Sequence, residues 1–226
     1  RRIDDNISAG STSITIPTDS RGIASVQLIL GKYTKDNTAF WWKAGYTYTE
    51  QVGENIVDAS LPSGTSITVP FSAYGFPKEP KDIMKIYGDG KWGLILTFAG
   101  FISIAIVDEF QNPLANLPVK FQALNALPNS DLPNCGTPYT DTRTQAIMTT
   151  TDDPCIKNSP TYDECPKAKT EMDIKTSSKG AQVEVILGGI PDAIYPIKVN
   201  CTDSRCIDTI TKKPFKIMLV GLFGNG

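Results

Sequence analysis

Histidine occurs nowhere in the 226 residues, which removes the commonest general base at neutral pH together with the commonest metal ligand. Thiolates do not fill that gap, because the five cysteines contain no Cys-x-x-Cys knuckle. No serine sits in a Gly-x-Ser-x-Gly elbow, and no glycine loop has a phosphate-binding pattern. Carboxylates are scattered, and Asp4-Asp5-Asn6 and Asp152-Asp153 lack the regular spacing of a calcium loop, so they read as solvated turn residues. These absences predict a non-enzymatic chain with no catalytic residues, no cofactor and no metal site.

Charge of one sign is also missing. With 22 basic and 24 acidic residues, a net of -2, no long-range field exists to hold nucleic acid or an anionic membrane. The longest uncharged apolar run, Leu94 to Val107, is too short to cross roughly 30 Å of hydrocarbon as a helix, so no membrane-spanning segment is predicted. It reads instead as two buried strands joined at Gly100. The chain opens on Arg1-Arg2 and polar residues without the apolar core of a signal peptide. The expectation is a chain from which such a segment was removed, or a fragment.

Five cysteines in a loop-rich chain fit an oxidising compartment, and their odd number leaves one thiol over. Cys201 and Cys206 are placed to close a small loop after a strand, with Cys135 to Cys155 or Cys165 as the expected second bridge. Spacing alone leaves about fifteen pairings open.

Strand signals dominate: short β-branched, aromatic or alternating runs at Ser13–Ile16, Ala24–Leu30, Thr38–Lys43, Ser66–Phe71, Ile83–Tyr87, Ile102–Val107, Val119–Ala123, Gln182–Leu187 and Pro196–Val199. Turn chemistry such as Gly88-Asp89-Gly90, Gln111-Asn112-Pro113 and Gly188-Gly189 separates them. No stretch keeps a period of 3.6, so the expectation is an all-β chain of antiparallel sandwiches. Phe76-Pro77-Lys78-Glu79-Pro80-Lys81 interrupts the pattern with two prolines and marks a stiff boundary.

One phrase occurs twice, 158 positions apart: Thr18-Asp19-Ser20-Arg21-Gly22 and Thr176-Ser177-Ser178-Lys179-Gly180, each followed by alternating apolar residues. Such self-similarity indicates one supersecondary plan used twice. Between the copies lies Asp108-x-x-x-Asn112-Pro113-Leu114-x-x-Leu117-Pro118-Val119-x-Phe121, in which Asp108 to Pro113 turns the chain and Pro118 stands where no ladder donor is needed.

This segment, followed by Thr176-x-x-x-Gly180, Gly188 and Tyr195 to Val199, resembles the bacterial immunoglobulin-like domains of the invasin and intimin type. Thr18-x-x-x-Gly22, Phe40 to Ala44 and Val69-Pro70-Phe71 resemble the rear half of a preceding domain of the same kind, and Pro70-Phe71 recurs as Pro214-Phe215. The resemblance implies tandem Greek-key immunoglobulin-like sandwiches: residues 1–76 as a partial or C-terminal portion of one, 77–80 as a Pro-rich linker, and 81–226 as a complete one with a Cys-containing insertion at about 125–171. It further implies an extracellular or cell-surface stalk whose partners are adjacent immunoglobulin-like domains or identical subunits.

Two alternatives compete with the stalk. One is an adhesin-type module whose insertion or aromatic surface binds carbohydrate or a host protein. The other is a filament subunit whose missing strands come from a neighbour by strand exchange. Alternation along Phe40-Trp41-Trp42 puts Trp41 and Trp42 on opposite faces, one in a core and one at an interface. Leu222 and Phe223 close an apolar run without polar cover and are read as a contact with a following domain or a neighbouring subunit.

Overall fold

A computed structural model describes residues 13–28, 30, 54–61, 67–129, 141–151, 153, 155, 161–206 and 215–222. Every regular element among them is a strand, and the chain divides into two compact units, Arg1–Pro77 and Lys78–Gly226. The division falls inside the proline-interrupted segment.

In the first unit, β1 (Glu54–Ser60) pairs antiparallel with β2 (Thr68–Tyr74), in register from Glu54↔Tyr74 to Ser60↔Thr68. Cross-strand pairing sets Val57 beside Phe71 and Ala59 beside Val69 on one face, while Asp58 and Ser72 lie on the other. Residues 13–28 form no strand, contrary to the expectation for Ser13–Ile16 and for the described part of Ala24–Leu30. The sequence has β character there, but a strand exists only when a partner takes its backbone groups, and no ladder reaches these mostly exposed residues.

The second unit holds two sheets. β3 (Asp82–Tyr87), β5 (Phe98–Val107), β10 (Ala181–Ile186) and β8 (Ile147–Thr149) form a four-stranded sheet in the order β3-β5-β10-β8. The other sheet runs β4 (Lys91–Leu94), β12 (Phe215–Leu222), β11 (Ala193–Cys201), β6 (Pro118–Ala123), β9 (Glu171–Lys175), with the short β7 (Leu127–Pro128) also on β11. All pairings are antiparallel except β4 with β12. One core lies between the sheets: Ile102, Ile104, Ile106, Met148, Val183 and Val185 from the first meet Val119, Phe121, Tyr195, Ile197, Val199, Ile217 and Leu219 from the second. Each such buried aliphatic or aromatic side chain contributes about 1.5–3 kcal/mol, and together they make this a β-sandwich.

The leading strand is split between the sheets. β3 lies on β5, the Gly88-Asp89-Gly90 turn follows, and β4 lies on β12. Asp89 holds the crossing, with Oδ1 accepting from Met218 N–H at 2.9 Å and Oδ2 from Lys85 Nζ at 2.7 Å. The Leu94 to Val107 run does break into two strands, but at Ile95–Thr97, where Leu96 has a φ of 60°. Gly100 stays inside β5 as a bulge, because Val185 pairs with Gly100 while Ile186 pairs with Phe98.

Asp108 explains the long turn. It is 2% exposed, and its carboxylate accepts from Phe110 N–H at 2.9 Å, Asn112 N–H at 2.8 Å, Asn112 Nδ2 at 2.9 Å and Lys78 N–H at 3.0 Å. A buried acid so surrounded fixes the loop much as an Asx-turn does. Pro118 opens β6, as its missing donor requires.

Both copies of the repeated phrase fold into one turn. Gly22 N–H bonds the Asp19 carbonyl at 2.9 Å and Gly180 N–H bonds the Ser177 carbonyl at 3.0 Å. In the first, Arg21 N–H reaches Asp19 Oδ1 at 2.9 Å, and in the second Lys179 N–H reaches Ser177 Oγ at 3.1 Å. The glycines have φ of 77° and 89°, the left-handed region that a side chain opposes.

Candidate interaction surface

The outer face of the six-stranded sheet is chemically divided. Alternation along β12 sends Ile217 and Leu219 inward and Met218, Val220 and Leu222 outward. Register then aligns Leu127, Ile194, Val220 and Trp92 in one apolar row across β7, β11, β12 and β4, with Leu94 beside Leu222 in the next. Trp92 is 63% exposed, Leu94 47% and Leu127 42%. The other half of the same face is polar, built on Lys120, Gln122, Glu171, Asp173 and Lys198. There Lys120 Nζ meets Glu171 Oε2 at 2.6 Å, which raises the lysine pKa and lowers the carboxylate's, chiefly through that hydrogen bond. A contiguous apolar patch with a polar flank is the composition of a contact surface.

Leu222 therefore belongs to this patch, while Phe223 lies outside the described residues, as do Trp41, Trp42 and Cys135. Trp92, the third tryptophan, was not singled out by the sequence reading. Its signal was the alternation Lys91-Trp92-Gly93-Leu94, which puts two large apolar side chains on one face of a short strand.

Cys201 is bridged to Cys206 with Cα atoms 6.3 Å apart. The second bridge joins Cys155 to Cys165, Cα atoms 5.8 Å apart, so neither is free for Cys135 as the sequence reading expected. The physical reason is local: Thr161 N–H bonds Glu164 Oε2, Ala168 N–H bonds the Cys165 carbonyl, and the Glu164 carbonyl oxygen of this turn lies 3.3 Å from Cys155 Sγ. Segment 125–171 is more than an added loop, since β7 and β8 join the two sheets and Met148 is fully buried. Its bridged part covers the outer side of the four-stranded sheet, where Ile147, Ile186 and Cys165 form a second small core with Tyr162 and Ala168.

Arg143 anchors that cover. It bonds Asp141 through Nε and Nη2 and Asp163 Oδ2 at 2.8 Å, and its guanidinium holds the Asp141 carboxyl below the usual carboxylate range. Asp153 accepts from Cys155 N–H at 3.0 Å and from Thr149 Oγ1 at 2.8 Å, so these bonds are structural.

Among the described residues no group of three or more Cys, Asp and Glu side chains is placed to hold a metal ion. No helix among them is long and apolar enough to cross a membrane. The described residues are thus all-β and disulfide-bridged, and those of the second unit form a β-sandwich with an apolar patch on its outer face. It matches no known protein-family model and has no significant match among curated proteins.

Proposed function

We propose that the chain is a non-enzymatic structural segment of a secreted or surface-displayed bacterial protein, built from immunoglobulin-like sandwiches. Through the apolar face it packs on adjacent immunoglobulin-like domains or identical subunits. The observation that carries the reading is the Leu127–Ile194–Val220–Trp92 row with Leu94 and Leu222: large apolar side chains side by side on an outer sheet face, where a solitary domain places polar ones.

The immunoglobulin-like assignment rests on strand order and one tyrosine. β3-β5-β10-β8 against β12-β11-β6 follows the two-sheet order of such domains. The Tyr195 hydroxyl donates to the Ile190 carbonyl and accepts from Ile190 N–H, each at 2.7 Å, the corner contact recurrent in that fold. The order departs from the usual plan in one place, because β8 precedes β9 in the chain. Two disulfide bridges support an extracellular or cell-surface location.

Sedimentation of the whole chain across a range of concentrations tests the contact. Concentration-dependent association that is abolished in the Trp92→Lys/Leu94→Glu variant, with an unchanged melting curve, is the expected result. A chain that stays monomeric at every concentration overturns contact between identical subunits. Glycan-array binding that depends on Trp92 would move the assignment to a carbohydrate-binding adhesin.

A further inference from the structure

Lys91 begins β4, in the six-stranded sheet, yet its side chain reaches the opposite sheet. The bulge at Gly100 makes this possible. A Cβ there would stand 3.4 Å from Lys91 Nζ and 3.9 Å from its Cδ, so the lysine stem runs across bare backbone. The same bulge lets Ala99 pack on the core while Phe101 turns outward and Ile102 returns to the core. The ammonium comes to rest 3.9 Å from the Tyr87 ring centroid and 5.4 Å from that of Phe101, and the two rings stack at 4.5 Å. Next to them Glu184 stands opposite Phe101 in the β5–β10 register. It is 7% exposed, and its Oε2 has no hydrogen-bond partner.

An ammonium on two aromatic faces and an unpartnered buried carboxyl group thus occupy one neighbourhood. We propose that Lys91 and Glu184 form an acid-sensing clasp. With Glu184 protonated, the ammonium rests on Tyr87 and Phe101; when Glu184 releases its proton to solvent, the ammonium leaves the rings and pairs with the carboxylate. Cation–π contact and a charge-assisted hydrogen bond are of comparable strength at such a partly desolvated site, so the charge on Glu184 decides between them.

The groups facing Glu184 leave Lys91 as the cation that answers it. β3 presents Tyr87, β5 presents Phe101 and Ser103, and Gln182 neighbours it along β10. β8 presents Thr149, whose hydroxyl is already donated to Asp153. Burial pushes the Glu184 pKa up, and Lys91 opposes that push. Because β4 also carries Trp92 and Leu94, the clasp links ambient acidity to the edge strand of the six-stranded sheet. The inference does not depend on what that edge binds.

Nuclear magnetic resonance of the whole chain tests it. Through one titration, the Glu184 carboxyl carbon should report a midpoint above the ordinary glutamate range. The Lys91 ε-methylene protons, shifted upfield by the rings at low pH, should lose that shift through the same midpoint. In Glu184→Gln the upfield shift should persist at every pH, and in Lys91→Met the Glu184 midpoint should rise further. A Glu184 midpoint in the ordinary range, or a Lys91 shift that ignores pH in the wild-type chain, overturns the clasp. The wild-type titration decides the matter even if a variant fails to fold.

Discussion

Thr176 and Leu117 are joined twice: Leu117 N–H reaches Thr176 Oγ1 at 3.0 Å, and Thr176 N–H reaches the Leu117 carbonyl at 2.9 Å. The same hydroxyl donates to the Leu114 carbonyl at 2.7 Å. A side chain at the end of β9 thereby completes the backbone of the segment entering β6, and the two motifs of the immunoglobulin-like resemblance meet in one hydrogen-bonded unit.

Thr176→Val keeps the shape and removes the hydroxyl. With Thr176 3% exposed, it strands a buried donor and a buried acceptor, and the expected loss is about 2–3 kcal/mol. Thr176→Ser retains both bonds and should lose about 1 kcal/mol or less. Urea unfolding followed by circular dichroism would distinguish them; equal losses would show that the methyl group matters as much as the hydroxyl and would overturn the dominance of the two bonds.

What the sequence disclosed was mostly local turn chemistry. Asp108 with Asn112, the Thr-x-x-x-Gly phrase and Pro118 at a strand start each satisfy backbone groups within a few residues, so the type of residue reveals the geometry. Pairing over long distances was hidden. β4 is short and β9 is short and polar, so each passes for a connection, and only their partners β12 and β6 make them strands. The exposure of Trp92 is not legible in the sequence, because it depends on which face of β12 the core takes. Gly100 looked like a junction because a bulge and a strand end both favour glycine. The Cys155–Cys165 pairing was one of several that spacing permitted.

Gly180 and Gly22 occupy equivalent turns in different surroundings. A Cβ on Gly180 would overlap the Ile104 carbonyl oxygen, whereas one on Gly22 would meet nothing. Gly180→Ala carries both positive-φ strain and a backbone clash, and should cost about 3 kcal/mol. Gly22→Ala carries only the strain, about 1 kcal/mol. Thermal unfolding of the two variants would show the contrast, and equal effects would contradict it.

Tyr195→Phe removes the hydroxyl that both donates to and accepts from Ile190. The ring is fully buried, so little repacking is needed and the loss should be about 1–2 kcal/mol. Hydrogen exchange at the Ile190 amide should quicken beyond the global effect, and unchanged exchange there would mean that water replaces the hydroxyl without cost.

Opening Cys155–Cys165, with a sequence separation of 10, relaxes a loop whose closure is worth about 2–3 kcal/mol on the chain-entropy model. A Cys155→Ser/Cys165→Ser variant should keep the main sandwich core and lose the small one over Ile147 and Ile186. The expected readout is increased binding of a hydrophobic dye with little change in far-ultraviolet circular dichroism. Loss of the strand signal would show that the cover is needed to hold β8 in its sheet.

Two buried carboxyl groups pull stability in opposite directions with pH. The Asp153 pKa is lowered, first by the Cys155 N–H and then by the Thr149 hydroxyl. Its contribution is therefore present above the ordinary value of 3.8 and is lost as pH falls through the lower folded value. The Glu184 pKa is raised by burial, so its contribution is present below the ordinary 4.5 and is lost as pH rises through the folded value. Glu184→Gln should consequently stabilise the second unit by about 1 kcal/mol near neutral pH and change nothing under strong acid, where the wild-type side chain is already neutral. Asp153→Asn should weaken it at neutral pH and blunt its loss of stability in acid. Urea midpoints over roughly pH 3 to 8 would separate the two effects. A Glu184→Gln curve parallel to the wild type at every pH would show that the carboxyl group is as well hydrated in the folded chain as in the unfolded one.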